Sequence, residues 1–184
     1  MSDTIIDRIF AMFDLHGPDS YGEDVTQLDH ALQAAALARQ DGADEALVAA
    51  ALLHDVGQLI DEAGWAAERH GTDARHEIVG AEWLADRFPP AVTEPIRLHV
   101  AAKRYLCATE PDYAARLSRA SILSMAVQGG PMSAGEVARF EAEPFFADGV
   151  RLRRFDDTAK MADAPVADLA SYRPLLERLM LNAA

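Results

Sequence analysis

Four histidines, His30, His54, His76 and His99, follow one another at intervals of 24, 22 and 23 residues. Each interval is about one helix and its loop. Apolar residues between them recur at helical spacing, with almost no period-two alternation, so the expected fold class is all-α. Helices joined by short loops pack as neighbours, and one side chain from each can converge on a common centre. The second histidine is followed at once by Asp55, at the end of the apolar run Ala49 to Leu53. A carboxylate there is costly unless it is paired or bound to a metal. A lone His-Asp doublet fits a capped helix end equally well; the other three histidines turn the balance toward a metal site.

The local signals divide the chain into helices without repeats or linkers. A first helix is expected from about Ser2 to Leu15, stopped by His16-Gly17-Pro18. Asp24 or Thr26 can cap the next, Thr26-Gln27-Leu28-Asp29 resembling a capping box, and that helix carries His30 and Gln33 on one face. Asp44 caps a third through Leu53, closing at Gly57. Asp73 opens a helix with His76 and Gly80, ended by Pro89-Pro90. Thr93-Glu94-Pro95 reads as the cap and first turn of the helix bearing His99 and Lys103. Further helices are expected from Asp112 to Val127, from a capping box at Ser133, from Pro144 through Met161, and from Val166 to Leu181. His16 and His70 fall in polar, loop-like stretches and are expected at the surface.

At 184 residues the chain suits one domain, expected to span 1–184 with a core of about 21–162 between terminal helices. A net charge of -13 argues against nucleic-acid binding, which needs clustered Lys and Arg. No apolar run approaches the roughly 20 residues that span a bilayer, and the N-terminus lacks a secretory signal. The single cysteine, Cys107, fits a reducing cytoplasm, the expected location. The two lysines of the chain, Lys103 and Lys160, stand out beside candidate ligands, as does the cluster Arg151, Arg153 and Arg154.

Imidazole and carboxylate ligands suit Fe, Mn, Zn or Ni rather than thiolate-loving metals. Four His and two Asp exceed the needs of one tetrahedral site. A carboxylate can bridge two ions roughly 3.5–4 Å apart, so two metals are expected with Asp55 between them.

His30, His54-Asp55, His76, His99 and a late Asp together resemble the HD-domain superfamily of helical metal-dependent enzymes. Longer stretches are similar to its phosphonate-cleaving, mixed-valent diiron oxygenases. These stretches are Tyr21 to Gln33, Ala51 to Gly57, Pro89 to Leu106, Gln128 to Met132 and Leu152 to Asp157. The resemblance implies a single HD domain, a helical bundle with the metal site in its centre. It implies an Fe(II)/Fe(III) pair, one iron on His30, His54, Asp55 and the late Asp, the other on His76, His99 and the shared Asp55. The implied substrate is a 1-hydroxyalkylphosphonate, with 2-amino- and 2-trimethylammonio-1-hydroxyethylphosphonate as models. O2 is the cosubstrate, and C–P cleavage gives a carboxylic acid and phosphate in organophosphonate catabolism.

The late ligand is Asp156 or Asp157, which differ by roughly 100° around a helix. Asp156 is preferred because it shares a face with Arg153 and Lys160. Lys103, one turn after His99, and Arg153, with its planar fork, are expected to bind the phosphonate, helped by Ser121 and Gln33. The resemblance also implies that Tyr21 and Glu23 form a lid, Tyr21 on an iron until substrate displaces it. They stand one residue closer together than the family's pair, which weakens the role of Tyr21 more than that of Glu23. Glu23 could instead meet a cationic substituent of the substrate. A metal-dependent phosphohydrolase acting on a small phosphate ester or nucleotide is the competing expectation, and a non-catalytic phosphonate or nucleotide sensor a third. The sequence carries no sign of oligomeric state.

Overall fold

The structure, a computed structural model, describes residues 4–21, 24–60 and 75–181. They form helices α1 (Ile5–His16), α2 (Gln27–Gln40), α3 (Glu45–Leu53) and α4 (Val56–Ile60), then α5 (His76–Leu84), α6 (Pro90–Thr109) and α7 (Tyr113–Arg116). They continue as α8 (Arg119–Val127), α9 (Ala134–Glu141), α10 (Phe146–Thr158), a 3-10 turn (Leu169–Tyr172) and α11 (Arg173–Leu179). Among the described residues there is no strand, only an isolated bridge between Ser20 and Thr26. The all-α expectation therefore holds. No described helix is long and apolar enough to cross a membrane.

The centre of the bundle is α3. Every residue from Leu47 to Leu53 is buried, the mark of a helix surrounded on all sides. It lies against α2, α6 and α10, and α6 is flanked in turn by α5 and α10. The main core joins Leu52, Leu53, Phe88, Ile96, Leu152 and Leu176. Caps fix where the helices begin. Thr4, Thr26 and Ser133 each form reciprocal capping boxes with the acid three residues on, and Asp44 accepts from Leu47 N–H.

Several helix boundaries differ from those expected. α6 begins at Pro90, where the missing N–H is harmless, and runs straight through Pro95. Burial of Thr93, Pro95 and Ile96 offsets the one lost hydrogen bond. The expected helix from Asp112 splits into α7 and α8 because Leu117 is extended and Ser118 caps α8 by accepting from Ser121 N–H. The last segment divides at Pro174, whose ring cannot continue the backbone ladder. Gly57 does not close α3; it sits inside α4, where a Cβ would lie 2.0 Å from the His76 carbonyl oxygen. A Cβ on Gly80 would lie 3.0 Å from Gly57 N. The two glycines let α4 and α5 touch backbone to backbone, which seats His76 beside the His54-Asp55 turn. The expected helix start at Asp73 and the histidine at 70 lie outside the described residues.

Gly57→Ala is therefore expected to displace α5 and to cost His76 its position. The variant should retain less metal than wild type after identical dialysis, as read by elemental analysis.

Candidate metal centre

Four helices each carry one imidazole to the same point. His30 lies in the first turn of α2, His54 ends α3, His76 opens α5 and His99 sits mid-way along α6. All four are buried, as are Asp55 in the turn after α3 and Asp156 near the end of α10.

The histidines form two pairs. His30 Nε2 and His54 Nε2 are 3.1 Å apart, and His76 Nε2 and His99 Nε2 are 3.3 Å apart. His30 Nδ1 faces the Ala159 carbonyl at 2.8 Å, His54 Nδ1 the Ala51 carbonyl at 2.8 Å, and His99 Nδ1 the Ile96 carbonyl at 2.7 Å. A carbonyl only accepts, so in each neutral ring Nδ1 carries the proton and the Nε2 lone pair points inward. Two lone pairs at 3.1 Å repel unless a cation lies between or beside them.

Asp55 spans both pairs. Its Oδ2 is 3.4 Å from His54 Nε2 and 3.8 Å from His30 Nε2; its Oδ1 is 3.1 Å from His76 Nε2 and 3.7 Å from His99 Nε2. Asp156 joins the first pair, with Oδ1 3.3 Å from His30 Nε2. Asp55 Oδ2 is buried without a hydrogen-bond partner. A buried, unpartnered carboxylate oxygen amid inward lone pairs is the donor set a divalent or trivalent cation satisfies. Two groups can each hold an ion: His30, His54 and Asp55, and Asp55, His76 and His99.

Burial pushes the pKa of His99 down to about 3, with His76 and His54 adding to the effect; burial also lowers that of His54. Burial alone would raise Asp55, but His54, His76 and His99 together hold it well below the usual carboxylate range. Asp156 is likewise held low, burial being outweighed by Arg153 and His30. Unfolded histidine takes up its proton near pH 6.5, whereas His99 in the fold resists it until about 3. Stability is therefore present above the unfolded value and is lost as pH falls through that window. The metal-stripped protein should show a falling melting temperature from pH 7 to pH 4 in calorimetry.

A cavity of about 70 Å³ opens beside this cluster, lined by Asp55, His76, His99 and Asp156 on the metal side. Tyr21, Lys103, Ser121, Ser124, Arg153 and Lys160 also line it. Tyr21 stacks on His30 with centroids 3.8 Å apart, and its hydroxyl is 3.5 Å from Asp156 Oδ1. Lys103 is buried and donates to Ser124 Oγ at 2.6 Å. Arg153 is buried too; its Nη1 meets Asp156 Oδ2 at 2.8 Å and Nη2 donates to Ser121 Oγ at 3.2 Å. Its Nη2 also binds Asp157, which accepts from the Tyr113 hydroxyl. Asp157 thus faces away from the histidines, and Asp156 is the late carboxylate beside them.

One expected contact falls elsewhere. Gln33 does not line the cavity: its amide donates to the Met161 carbonyl at 2.8 Å and accepts from Met161 N–H at 3.0 Å. It fastens the segment whose Ala159 carbonyl orients His30. Glu23 lies outside the described residues. His16 is partly buried at the end of α1, 3.6 Å from Asp19 and away from the cluster. The sequence reading missed Gln58, Ser124 and Gln128 among the lining residues, and Tyr113 behind Arg153. A signal existed for two of these, since Ser121, Ser124 and Gln128 stand at i, i+3 and i+7 on one face of α8 and its cap.

The model of the HD domain family matches residues 28–126. The chain is 44% identical over 177 residues to [1-hydroxy-2-(trimethylamino)ethyl]phosphonate dioxygenase (glycine-betaine-forming) of Leisingera caerulea, covering 96% of this chain and 90% of that protein. It is 48% identical over 181 residues to the hydroxymethylphosphonate dioxygenase of Gimesia maris, again covering 96% and 90%. The histidine, aspartate and cation cluster thus stands in a chain that belongs to the HD-domain family, alongside these two hydroxyphosphonate dioxygenases.

Proposed function

We propose that the protein is an oxygenase that uses O2 to cleave the C–P bond of a 1-hydroxyalkylphosphonate. The products are inorganic phosphate and a carboxylic acid, with one O2 consumed per phosphate released. The observation that carries this reading is Asp55, set between two imidazole pairs and lining one cavity with the buried Lys103 and Arg153. The near-full-length likeness to two hydroxyphosphonate dioxygenases supports the same reading.

Two iron ions in the Fe(II)/Fe(III) state are the proposed cofactor, one held by His30, His54, Asp55 and Asp156, the other by His76, His99 and Asp55. Iron suits such nitrogen and oxygen donors, and the pair supplies the redox chemistry with O2 when bound. The chain's own residues do the rest. Carbonyls of Ala51, Ile96 and Ala159 fix the tautomers so that Nε2 faces the metals. Lys103 and Arg153 attract and orient the phosphonate, Arg153 through its planar fork, and Ser121 contributes a hydroxyl at the same wall. Burial of these groups keeps water from competing with the substrate's oxygens. Tyr21 covers His30 and acts as a lid, with Glu23 as its proposed companion and as a contact for a cationic substituent.

The test is iron analysis with EPR on reduced, then partly oxidised protein. Two irons per chain and a spin-coupled Fe(II)/Fe(III) signal perturbed by hydroxymethylphosphonate support the proposal. A diamagnetic metal with phosphate-ester turnover and no oxygen uptake overturns it. Tyr21→Phe should change the signal of the substrate-free protein and leave that of the substrate complex alike; identical substrate-free spectra would refute its place on the metal.

A further inference from the structure

Tyr113 and Ser121 stand eight positions apart in the chain, a separation of about 12 Å along an unbroken α-helix. Both hydroxyls nevertheless reach one guanidinium. Arg153 Nε donates to the Tyr113 hydroxyl at 3.3 Å, and Nη2 donates to Ser121 Oγ at 3.2 Å. The extended Leu117 between α7 and α8 makes this possible, because each short helix then presents its own hydroxyl. Asp157 completes the set. It accepts from Nη2 and from the Tyr113 hydroxyl, so hydroxyl, carboxylate and guanidinium form a closed triangle. Burial pushes the pKa of Tyr113 up, so the hydroxyl keeps the proton it donates. Nη1 is the nitrogen that Tyr113, Asp157 and Ser121 leave alone, and it lies 2.8 Å from Asp156 Oδ2, beside the metal centre.

Burial of Asp157 does not by itself demand this arrangement. Its side chain is 20% exposed and, with Tyr113, borders a second cavity of about 480 Å³, where water can hydrate the carboxylate. Arg153 is 3% exposed and has no such alternative. A guanidinium is planar, so holding one edge fixes the direction of all its N–H groups. Freed from Tyr113 and Asp157, it would turn both ends onto Asp156 as a bidentate pair and occupy oxygens that a metal ion needs. We propose that Tyr113 and Asp157 are positioning residues that hold the Nε–Nη2 edge of Arg153, so that Nη1 stays directed at the phosphonate. This inference rests on the phosphonate reading above. It gives the two residues a role in substrate affinity that acts through Arg153, with no contact to substrate of their own.

A double-mutant cycle on the iron-loaded protein separates positioning from packing. The substrate is hydroxymethylphosphonate or [1-hydroxy-2-(trimethylamino)ethyl]phosphonate, whichever wild type turns over. Tyr113→Phe keeps the ring and removes the hydroxyl. It should retain the iron content of wild type and raise KM about fivefold, with kcat within about twofold. Asp157→Asn should raise KM in the same way. In the Arg153→Lys background, Tyr113→Phe should change KM by less than about twofold, because a lysine has no planar edge to hold. A Tyr113→Phe variant with wild-type KM overturns the inference even if it melts lower, because the hydroxyl would then serve the fold alone. Equal KM effects of Tyr113→Phe in the arginine and lysine backgrounds overturn it too, since the effect would not pass through Arg153. A wild-type protein that releases phosphate from neither substrate under O2 overturns both this inference and the reading on which it rests.

Discussion

Asp55→Asn is expected to lose at least about a thousandfold in turnover, on the order of 4 kcal/mol of barrier. The substitution keeps the shape of the side chain and changes its two ends. In wild type Oδ1 faces His76 and His99 while Oδ2 faces His30 and His54. An amide offers one oxygen and one N–H2, and the N–H2 donates where a cation requires a lone pair. One of the two sites then loses its shared ligand, and the charge that offsets two cations falls by one. Iron content after gel filtration should drop below two per chain, measured beside turnover. Asp157→Asn, one residue from Asp156 but turned toward Tyr113 and Arg153, should keep both irons. Equal iron loss in Asp55→Asn and Asp157→Asn would remove Asp55 from its bridging place.

Arg153→Ala should be the most destabilising single change on the cavity wall. The guanidinium is buried and touches Asp156, Asp157, Ser121 and the Tyr113 hydroxyl. Removing it leaves two carboxylates without their cation, a loss of roughly 3 kcal/mol or more for a buried pair. For a domain of this size that corresponds to a fall of about 10 °C in melting temperature. Without Arg153, Asp156 also loses the strongest of the influences that hold its carboxyl low. Its contribution to stability, present above the unfolded value and lost as pH falls through the folded one, then disappears at a higher pH than in wild type. Arg153→Lys restores the charge but not the fork. It should recover most of the melting temperature and leave KM for a hydroxyphosphonate raised about tenfold or more. A lysine variant with wild-type KM would show that charge alone suffices.

Much of this centre was legible in the sequence for a physical reason. Each of His30, His54, His76 and His99 sits on its own helix, and the packing of helices joined by short loops brings them together without any loop geometry being known. Helical phase with Arg153 does not by itself separate Asp156 from Asp157, because the guanidinium meets both; they differ in that Asp156 Oδ1 lies 3.3 Å from His30 Nε2 while Asp157 accepts from the Tyr113 hydroxyl. Phase did not suffice for Gln33. It shares a face with His30, yet its amide is taken up by the backbone of Met161, 128 residues away. Long-range pairing of that kind leaves no periodic trace. The split between α7 and α8 was missed because Ser118 competes as a cap inside a stretch whose apolar pattern reads as continuous. Pro95 misled in the opposite sense: its local preference for a first turn is overridden by the buried surface that α6 gains from starting at Pro90. Gly57 read as a helix stop, whereas its function is close approach to His76. In each case tertiary packing decided between two local options.

The central claim is that the paired histidines and Asp55 serve oxidative C–P cleavage. The direct measurement is parallel recording of oxygen consumption and phosphate release by the iron-loaded protein. Hydroxymethylphosphonate and [1-hydroxy-2-(trimethylamino)ethyl]phosphonate are the substrates to supply. The account predicts one O2 consumed for each phosphate released with at least one of them, and no phosphate under argon. Phosphate release that continues unchanged without oxygen, or that requires a phosphate ester in place of a phosphonate, would contradict it.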